Sequence, residues 1–538
     1  MSDAPRQRPG FALWLGVAAC GAVLFATWRL LWFMTDDAYI TYRYVANSLA
    51  GRGLVWNAAP FARVDGNTDF LWSLILRQVW AWFGVEPPDA ANWLALAIGV
   101  ATLAVVGRWA WRLALPEPVA RQRTLLVLLV LFGCVTHRAW VAFLSSGLGA
   151  ALFDGLLIAW AWRTARPGAR EAMRSWLAIA ALAALCGLAR PEGWLVVGAT
   201  ALLLAIWGVQ QRRRGPALAA LAVAIVPVAG QIVWCRLYYG DWLPNTYAAK
   251  RSPPWPQAGW RYAACYVFEY AVYVWLPVAI AWSFAQMRRG RVLARLFGPA
   301  LGATAVTGLL LAHFAYYTLV IGGDLFEFRV YSHLFPFLLL SFVAMASALR
   351  PSAAFVVGGL ALFVLLALPV GWAKFAVDDG PLAPHAPAFV QPLLQRYDAW
   401  QAWLKERTVG TRNHDMKENF DVLVGAAPTR AEGAKITAEG NPVMVAEAVG
   451  LPGWVLPVSL LGLAILLIST LPALVARRRL ERTEARLVED LKDMEERTRR
   501  TDRDRRAIDS DEYVIDRAMR ELLEPGPRVA QPKVRGTP

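Results

Sequence analysis

The chain has 538 residues, of which 57% are hydrophobic and only 18% charged, with a mean hydropathy of +0.39 and a formal net charge of +15. Ordinary soluble domains carry about 25% charged residues, so the composition excludes a soluble globular protein and implies that much of the chain is dissolved in lipid. The basic residues fall in short clusters between apolar runs rather than along one soluble face, which argues for membrane topology and against nucleic acid as the reason for the charge.

In chain order, the apolar run at 11–34 is too long, and lacks the small-residue cleavage site, for a secretory signal peptide, and is expected to remain as an anchor. Runs at 93–115, 218–233 and 353–370 approach or reach the ~20 residues that cross a hydrocarbon core as helix. Only helices satisfy their own backbone amides at such lengths. Arginine clusters mark the span ends expected in the cytoplasm: Arg121 and Arg123, residues 163–174, 212–214 and 288–295, Arg350, and 477–479. With Arg6 and Arg8 also inside, both termini are expected to be cytoplasmic. The count is then roughly twelve crossings, provided that the stretch at 70–83 does not cross. Residues 35–90 become a long external loop carrying a helix on the membrane surface, anchored by Trp72, Trp80 and Trp82.

Two further external regions are expected. One spans 238–261, and the other, 374–453, is polar and rich in Pro and Gly and reads as a small soluble module. A last span at 454–476 follows. The tail at 477–538 is cytoplasmic, and Leu480, Leu487, Leu491 and Met494 lie at near-heptad spacing, suiting a helix that is solvated alone or paired with a partner. Residues 1–373 form the membrane core of this plan. Cys20, Cys134, Cys186, Cys235 and Cys265 sit in or beside apolar runs without metal-like spacing and read as packing residues. No internal repeat of the transporter kind is visible.

The chemistry collects on the external side. Directly after the first span come Asp36 and Asp37, then Tyr39, Tyr42, Arg43 and Asn47, in a helical stretch that Thr35 or Asp36 can cap and that Gly51 and Gly53 end. A cap needs one carboxylate, not two. An acid pair followed by tyrosines, an arginine and an asparagine suits a polyhydroxylated substrate or a divalent metal ion. No motif demands a cofactor, and a divalent cation stays open. Further on, Asp65-Gly66-Asn67 reads as a turn.

The stretch from Asp36 to Trp72 resembles the first external loop of the GT-C superfamily of polyprenyl-phosphate-sugar-dependent glycosyltransferases, most closely the branch of cell-wall arabinofuranosyltransferases. Ser145-Ser146-Gly147-Leu148, Ala189-Arg190-Pro191-Glu192-Gly193, residues 239–250 including Asn245 and Lys250, Gly322-Gly323-Asp324, Arg329 and Pro336 follow in the same order. The resemblance covers 36–336. It departs from the pattern after Ser-Gly-Leu, where the family often has an acid and this chain has Gly149 and Ala150, and the 374–453 module matches nothing in it.

What the resemblance implies is an all-α polytopic membrane protein with a GT-C-like bundle. It would move a sugar, arabinofuranose being the leading choice, from a polyprenyl-phosphate donor to a glycan, lipid or protein hydroxyl at the outer face of the cytoplasmic membrane, with inversion. Such a leaving group needs charge stabilisation, while the acceptor hydroxyl needs a base. Asp36 or Asp37 is the expected base. Arg190, Lys250, Arg329 and His333 are the cations expected near the donor phosphate. Asp65, Asn245 and Asp324 join Tyr39, Tyr42, Arg43 and Asn47 as sugar- or acceptor-binding candidates, and Trp56 and Trp242 are placed to stack on a sugar. The alternative, a transporter or flippase of a lipid-linked saccharide, should carry its charges near the bilayer midplane on broken helices rather than in external loops. A non-catalytic scaffold would leave the paired aspartates unexplained.

Overall fold

The computed structural model describes residues 10–462, except 167, 169–170, 245–253, 291–297, 299, 351, 378–379, 407–409, 434, 436–442, 447–448 and 457–458. The tail and most of the last expected span therefore lie outside the described residues. The principal helices are α1 (Phe11–Leu30), α2 (Asp36–Leu49), α3 (Phe70–Phe83), α4 (Pro87–Trp111), α5 (Arg123–Thr136), α6 (Ala150–Ala165), α7 (Met173–Ala189), α8 (Gly193–Gln210) and α9 (Arg214–Tyr239). They continue as α10 (Pro256–Glu269), α11 (Val272–Arg288), α12 (Leu301–Tyr316), α13 (Leu334–Leu349), α14 (Ala353–Leu366), α15 (Gln391–Glu406), α16 (Asn413–Ala426) and α17 (Gly450–Val455). Among the described residues the only strands are Val443–Ala446 and Ser459–Gly462, paired in parallel.

Seven helical segments among the described residues are long and apolar enough to cross a membrane, and an eighth if α10 and α11, bent by 96° at their junction, count as one broken span. The shorter apolar helices α5 and α7 add to the bundle. Length and polarity alone thus do not reach the expected twelve, and the strand at Ser459–Gly462 lies inside the stretch expected as the last span. The surface helix expected at 70–83 forms with those bounds. Its 14 residues are too few for a 30 Å core, and Trp82 and Phe83 at its end are exposed.

Antiparallel alternation sorts the loops to two ends. At one end Arg123, opening α5, donates to the Leu113 carbonyl beyond α4 at 3.0 Å, and Arg213 before α9 donates to the Glu171 carbonyl before α7 at 3.0 Å. These are the arginine-rich turns. At the other end lie the turns that carry Asp36, Ser145–Gly149 and Arg190.

A buried group of four charges clamps the later segments onto that second end. Arg138, after α5, donates to Glu269 of α10 at 3.0 Å and to Glu327 at 2.9 Å. Arg412, before α16, donates to Glu269 at 3.0 Å and also pairs with Glu327. Tyr397 and Gln401 of α15 complete the coordination of Arg412, and the Asn413 backbone N–H donates to Glu327 at 2.9 Å. All four charged side chains are at most 2% exposed, so the two cations and two anions must balance within the protein.

Removing one member should therefore cost far more than removing a balanced pair. Arg412→Met is expected to destabilise the fold by about 3–5 kcal/mol, and adding Glu327→Gln should recover a large part, because Arg138 and Glu269 remain a neutral pair. Thermal unfolding of the purified variants in detergent checks this. Equal destabilisation by the single and double variants would show that the charges do not act as one balanced set.

Candidate functional site

The site is built around the bend at Ser145–Gly149. The Ser146 carbonyl accepts from the Thr35 backbone N–H at 3.1 Å, and the Ser145 hydroxyl donates to the Leu31 carbonyl at 3.0 Å, so the end of α1 is tied to the bend. The Gly147 carbonyl accepts from the Tyr42 hydroxyl at 3.2 Å and from the Trp72 indole at 3.0 Å, while its N–H donates to Asn92 at 2.9 Å. One residue thereby joins α2, α3 and α4. Gly147 has a φ of +77°, and a Cβ there would lie 2.5 Å from the Tyr42 hydroxyl and 2.8 Å from the Ala38 side chain.

Thr35 caps α2, its hydroxyl accepting from the Ala38 N–H at 3.2 Å, which frees Asp36 and Asp37 from that duty. Asp37 is exposed. Asp36 is half-buried, and both of its carboxylate oxygens accept backbone hydrogen bonds at 2.8 Å, from Gly450 and Leu451 of α17.

From the bend a run of polar contacts crosses to the other expected motifs. The Gly149 N–H donates to Asp69 at 3.1 Å, and Asp69 lies 3.9 Å from Arg190. Arg190 forks onto Glu192 at 3.0 and 3.3 Å, and Glu192 accepts from the Tyr317 hydroxyl at 2.6 Å. Burial would push the Glu192 carboxyl up, but the adjacent Arg190 guanidinium and the two hydrogen bonds outweigh it and hold the group well below the usual carboxylate range. Burial likewise opposes the charge on Arg190, and Glu192 and Asp69 more than restore it. The Tyr317 carbonyl accepts from the N–H groups of Gly322 and Gly323 at 3.0 and 2.9 Å, leading to Asp324, which forms a two-pronged pair with Arg329 at 2.8 and 3.1 Å.

Two of the four expected phosphate cations, Arg190 and Arg329, are thus already bound to carboxylates. His333 is buried, with Nδ1 3.5 Å from Asp154 and no hydrogen-bond partner for Nε2 among the described residues. Lys250 and Asn245 lie outside the described residues. No group of three or more His, Cys, Asp or Glu side chains that could hold a metal ion occurs among the described residues.

Several expected sugar-binding side chains hold the first loop together. Arg43 donates to the Trp56 carbonyl at 2.7 Å, to Asn57 at 2.9 Å and to the Gly453 carbonyl at 2.6 Å, and its guanidinium lies 4.6 Å from the Trp56 ring centre. Asn47 donates to the carbonyls of Val55 and Trp56 at 2.9 and 3.0 Å. Tyr42 is fully buried, and Tyr39 packs edge-on against it, its hydroxyl pushed up to about 12 by burial and by Asp36 and Asp89. Trp242 remains exposed. Asp65 is buried against the Asn67 backbone N–H and the Cys235 thiol, and burial raises its carboxyl to about 6 in spite of those donors. Sequence reasoning passed over Asp69, Asn92 and Tyr317. Asn92 gave a signal, being a lone amide near the start of an apolar span; the other two gave none.

No protein-family model matches the chain. The chain is 32% identical over 316 residues to a terminal β-(1→2)-arabinofuranosyltransferase of Mycobacterium tuberculosis, covering 55% of this chain and 48% of the relative. It is 27% identical over 372 residues to a protein of the same description from Corynebacterium glutamicum, covering 61% and 52%. The chain thus spans about half the length of the curated relatives it matches. Among solved structures, ArnT from Cupriavidus metallidurans, crystallised with undecaprenyl phosphate, aligns over 85% of this chain and 88% of its own at 15% identity and a TM-score of 0.49, a likeness too loose to argue from.

Asp65 generates a pH dependence. Because its folded value, about 6, lies above the ordinary carboxylate value, the fold favours the neutral acid. Stability is therefore fullest below about pH 4 and falls by roughly 3 kcal/mol as pH rises to about 6, then levels. Thermal unfolding from pH 4 to 7.5 should show this slope in the wild type and not in Asp65→Asn. An identical slope in both would mean that Asp65 ionises without penalty.

Proposed function

We propose that the protein is a membrane glycosyltransferase that moves a sugar, arabinofuranose in the leading case, from a polyprenyl-phosphate donor to a hydroxyl of a glycan, lipid or protein. The reaction takes place at the outer face of the cytoplasmic membrane. The observation that carries this reading is the similarity, across more than half of the chain, to two proteins described as terminal β-(1→2)-arabinofuranosyltransferases. The geometry agrees with it chemically. The bundle end opposite the arginine-rich turns gathers the acid pair and the ion-paired Arg190 and Arg329, within one continuous run of contacts. Positive-inside topology puts that end outside.

In this reading an aspartate at the lip of the membrane takes the acceptor hydroxyl's proton while the acceptor oxygen attacks the anomeric carbon from the face opposite the phosphate. The carbon–oxygen bond to the phosphate breaks, and the polyprenyl phosphate leaves with the electron pair, so that no acid is needed to protonate it. Among the described residues, Arg190 and Arg329 are expected phosphate cations that lie at this end. Each already has a carboxylate partner, so a phosphate would share or displace Glu192 or Asp324 rather than meet a free charge. The transporter reading gains nothing from this arrangement, because these charges sit in turns at one end.

Purified protein should transfer arabinofuranose from a synthetic polyprenyl-phosphate donor to an oligosaccharide acceptor. Asp36→Asn and Asp37→Asn are compared in the same assay, and whichever residue is the base should lose about 10² to 10⁴ in turnover without a matching loss of thermal stability. Near-normal turnover in both removes the acid pair from the chemistry. For orientation, a cysteine in place of Ala62 should react with an impermeant thiol reagent on intact spheroplasts, while one in place of Arg289 should not. The reverse pattern would turn the site inward.

A further inference from the structure

The segment from 374 onward lies beyond the stretch, 36–336, whose motifs resemble the glycosyltransferase family, yet it reaches back onto Asp36. Gly450 and Leu451 give their backbone N–H groups to the two oxygens of Asp36, each at 2.8 Å. The approach is so close that a Cβ on Gly450 would lie 1.8 Å from the Asp36 carbonyl oxygen, which no side chain tolerates. Three residues on, the Gly453 carbonyl accepts from Arg43 at 2.6 Å, and a Cβ there would meet the Trp56 ring at 2.8 Å. Trp454 packs between Tyr42 of α2 and Trp80 of α3, with ring centres 6.0 and 5.8 Å away. Arg430 lies over both Trp454 and Trp80 and pairs with Glu86 before α4. The contacts are specific for glycine at two positions and come from two helices of the first loop, α2 and α3, and from Trp56 between them.

We propose that residues 449–455 complete the active site by fixing the Asp36 carboxylate, so that the later module is part of the transferase and not an accessory. Gly450 and Leu451 act through Asp36 as positioning residues, and Arg43 and Arg430 hold their segment down. The inference rests on the transferase reading above. Physically, two N–H donors at 2.8 Å lock a carboxylate in one rotamer and leave each oxygen a second lone pair for a substrate proton or hydroxyl. A carboxylate oriented before the acceptor arrives loses no freedom when it does.

Leu451 allows one hydrogen bond to be removed by itself. It is the second residue of α17, in the first turn, where a proline breaks no helical hydrogen bond and its ring carbon replaces the N–H that faces Asp36. Leu451→Ala and Leu451→Pro both lose the buried side chain, but only the second loses the donor to Asp36. With the polyprenyl-phosphate donor, Leu451→Pro is expected to show a kcat about tenfold below Leu451→Ala, at similar donor KM and similar melting temperature. A second variant asks whether the segment stays in place. Ile40 and Val449 pack on the same small cluster around Tyr44 and Trp56, and a disulfide formed between cysteines at those positions, verified by mass spectrometry, would pin 449–455 to α2. The oxidised double variant should keep transferring. Activity lost on oxidation and regained with reductant would overturn the proposal, because the segment would then have to leave Asp36 before reaction. Equal kcat for Leu451→Ala and Leu451→Pro beside an active wild type would overturn it alone, whereas a wild type with no transfer would overturn the transferase reading with it.

Discussion

The candidate site hangs from the bend at Gly147. Its φ of +77° turns the chain sharply, and the missing side chain lets the Tyr42 hydroxyl and Ala38 close on the backbone from the other side. Because its carbonyl takes hydrogen bonds from Tyr42 and Trp72 and its N–H is held by Asn92, the first-loop helices cannot move relative to the bundle without breaking buried bonds. Thr35 on Ser146 carries the same constraint to the acid pair, and Gly149 on Asp69 carries it to Arg190. Motifs more than a hundred residues apart thereby become neighbours.

Several cations at this end are neutralised within the protein. Arg138 and Arg412 are consumed by Glu269 and Glu327, Arg190 by Glu192 and Asp69, and Arg329 by Asp324. A guanidinium buried here without acceptors for its N–H groups would be costly. In the proposed reading, a donor phosphate would share or displace the carboxylate partner of Arg190 or Arg329 rather than meet an open charge.

The chain spans about half the length of the arabinofuranosyltransferases it matches. Its 374–455 region is bound to the earlier segments at two places of different chemistry. Arg412, Tyr397 and Gln401 enter the buried charge group, while Gly450 and Leu451 take hold of Asp36. The first is a structural anchor. The second lies on Asp36, a candidate base of the proposed reaction.

The sequence by itself determined the class of the protein, because hydrophobicity and span length are local and need no partner. It likewise determined the bounds of the helix Phe70–Phe83 and narrowed the cap of α2 to Thr35 or Asp36, since apolar run length and capping are settled within a few residues. The gathering of arginines into turns apart from those that carry Asp36 and Arg190 was also legible, since the clusters stand between apolar runs in the sequence. The tertiary structure alone decided which side chains would meet. Arg43, Asn47 and Trp56 read as sugar contacts from their types, yet burial turned their polar atoms to loop carbonyls and to one another. Asp69 and Tyr317, silent in the sequence, became partners of Arg190 and Glu192. The grip of Gly450 and Leu451 on Asp36 joins residues more than four hundred positions apart through backbone N–H groups, which every residue but proline carries and which therefore leave no trace in residue identity.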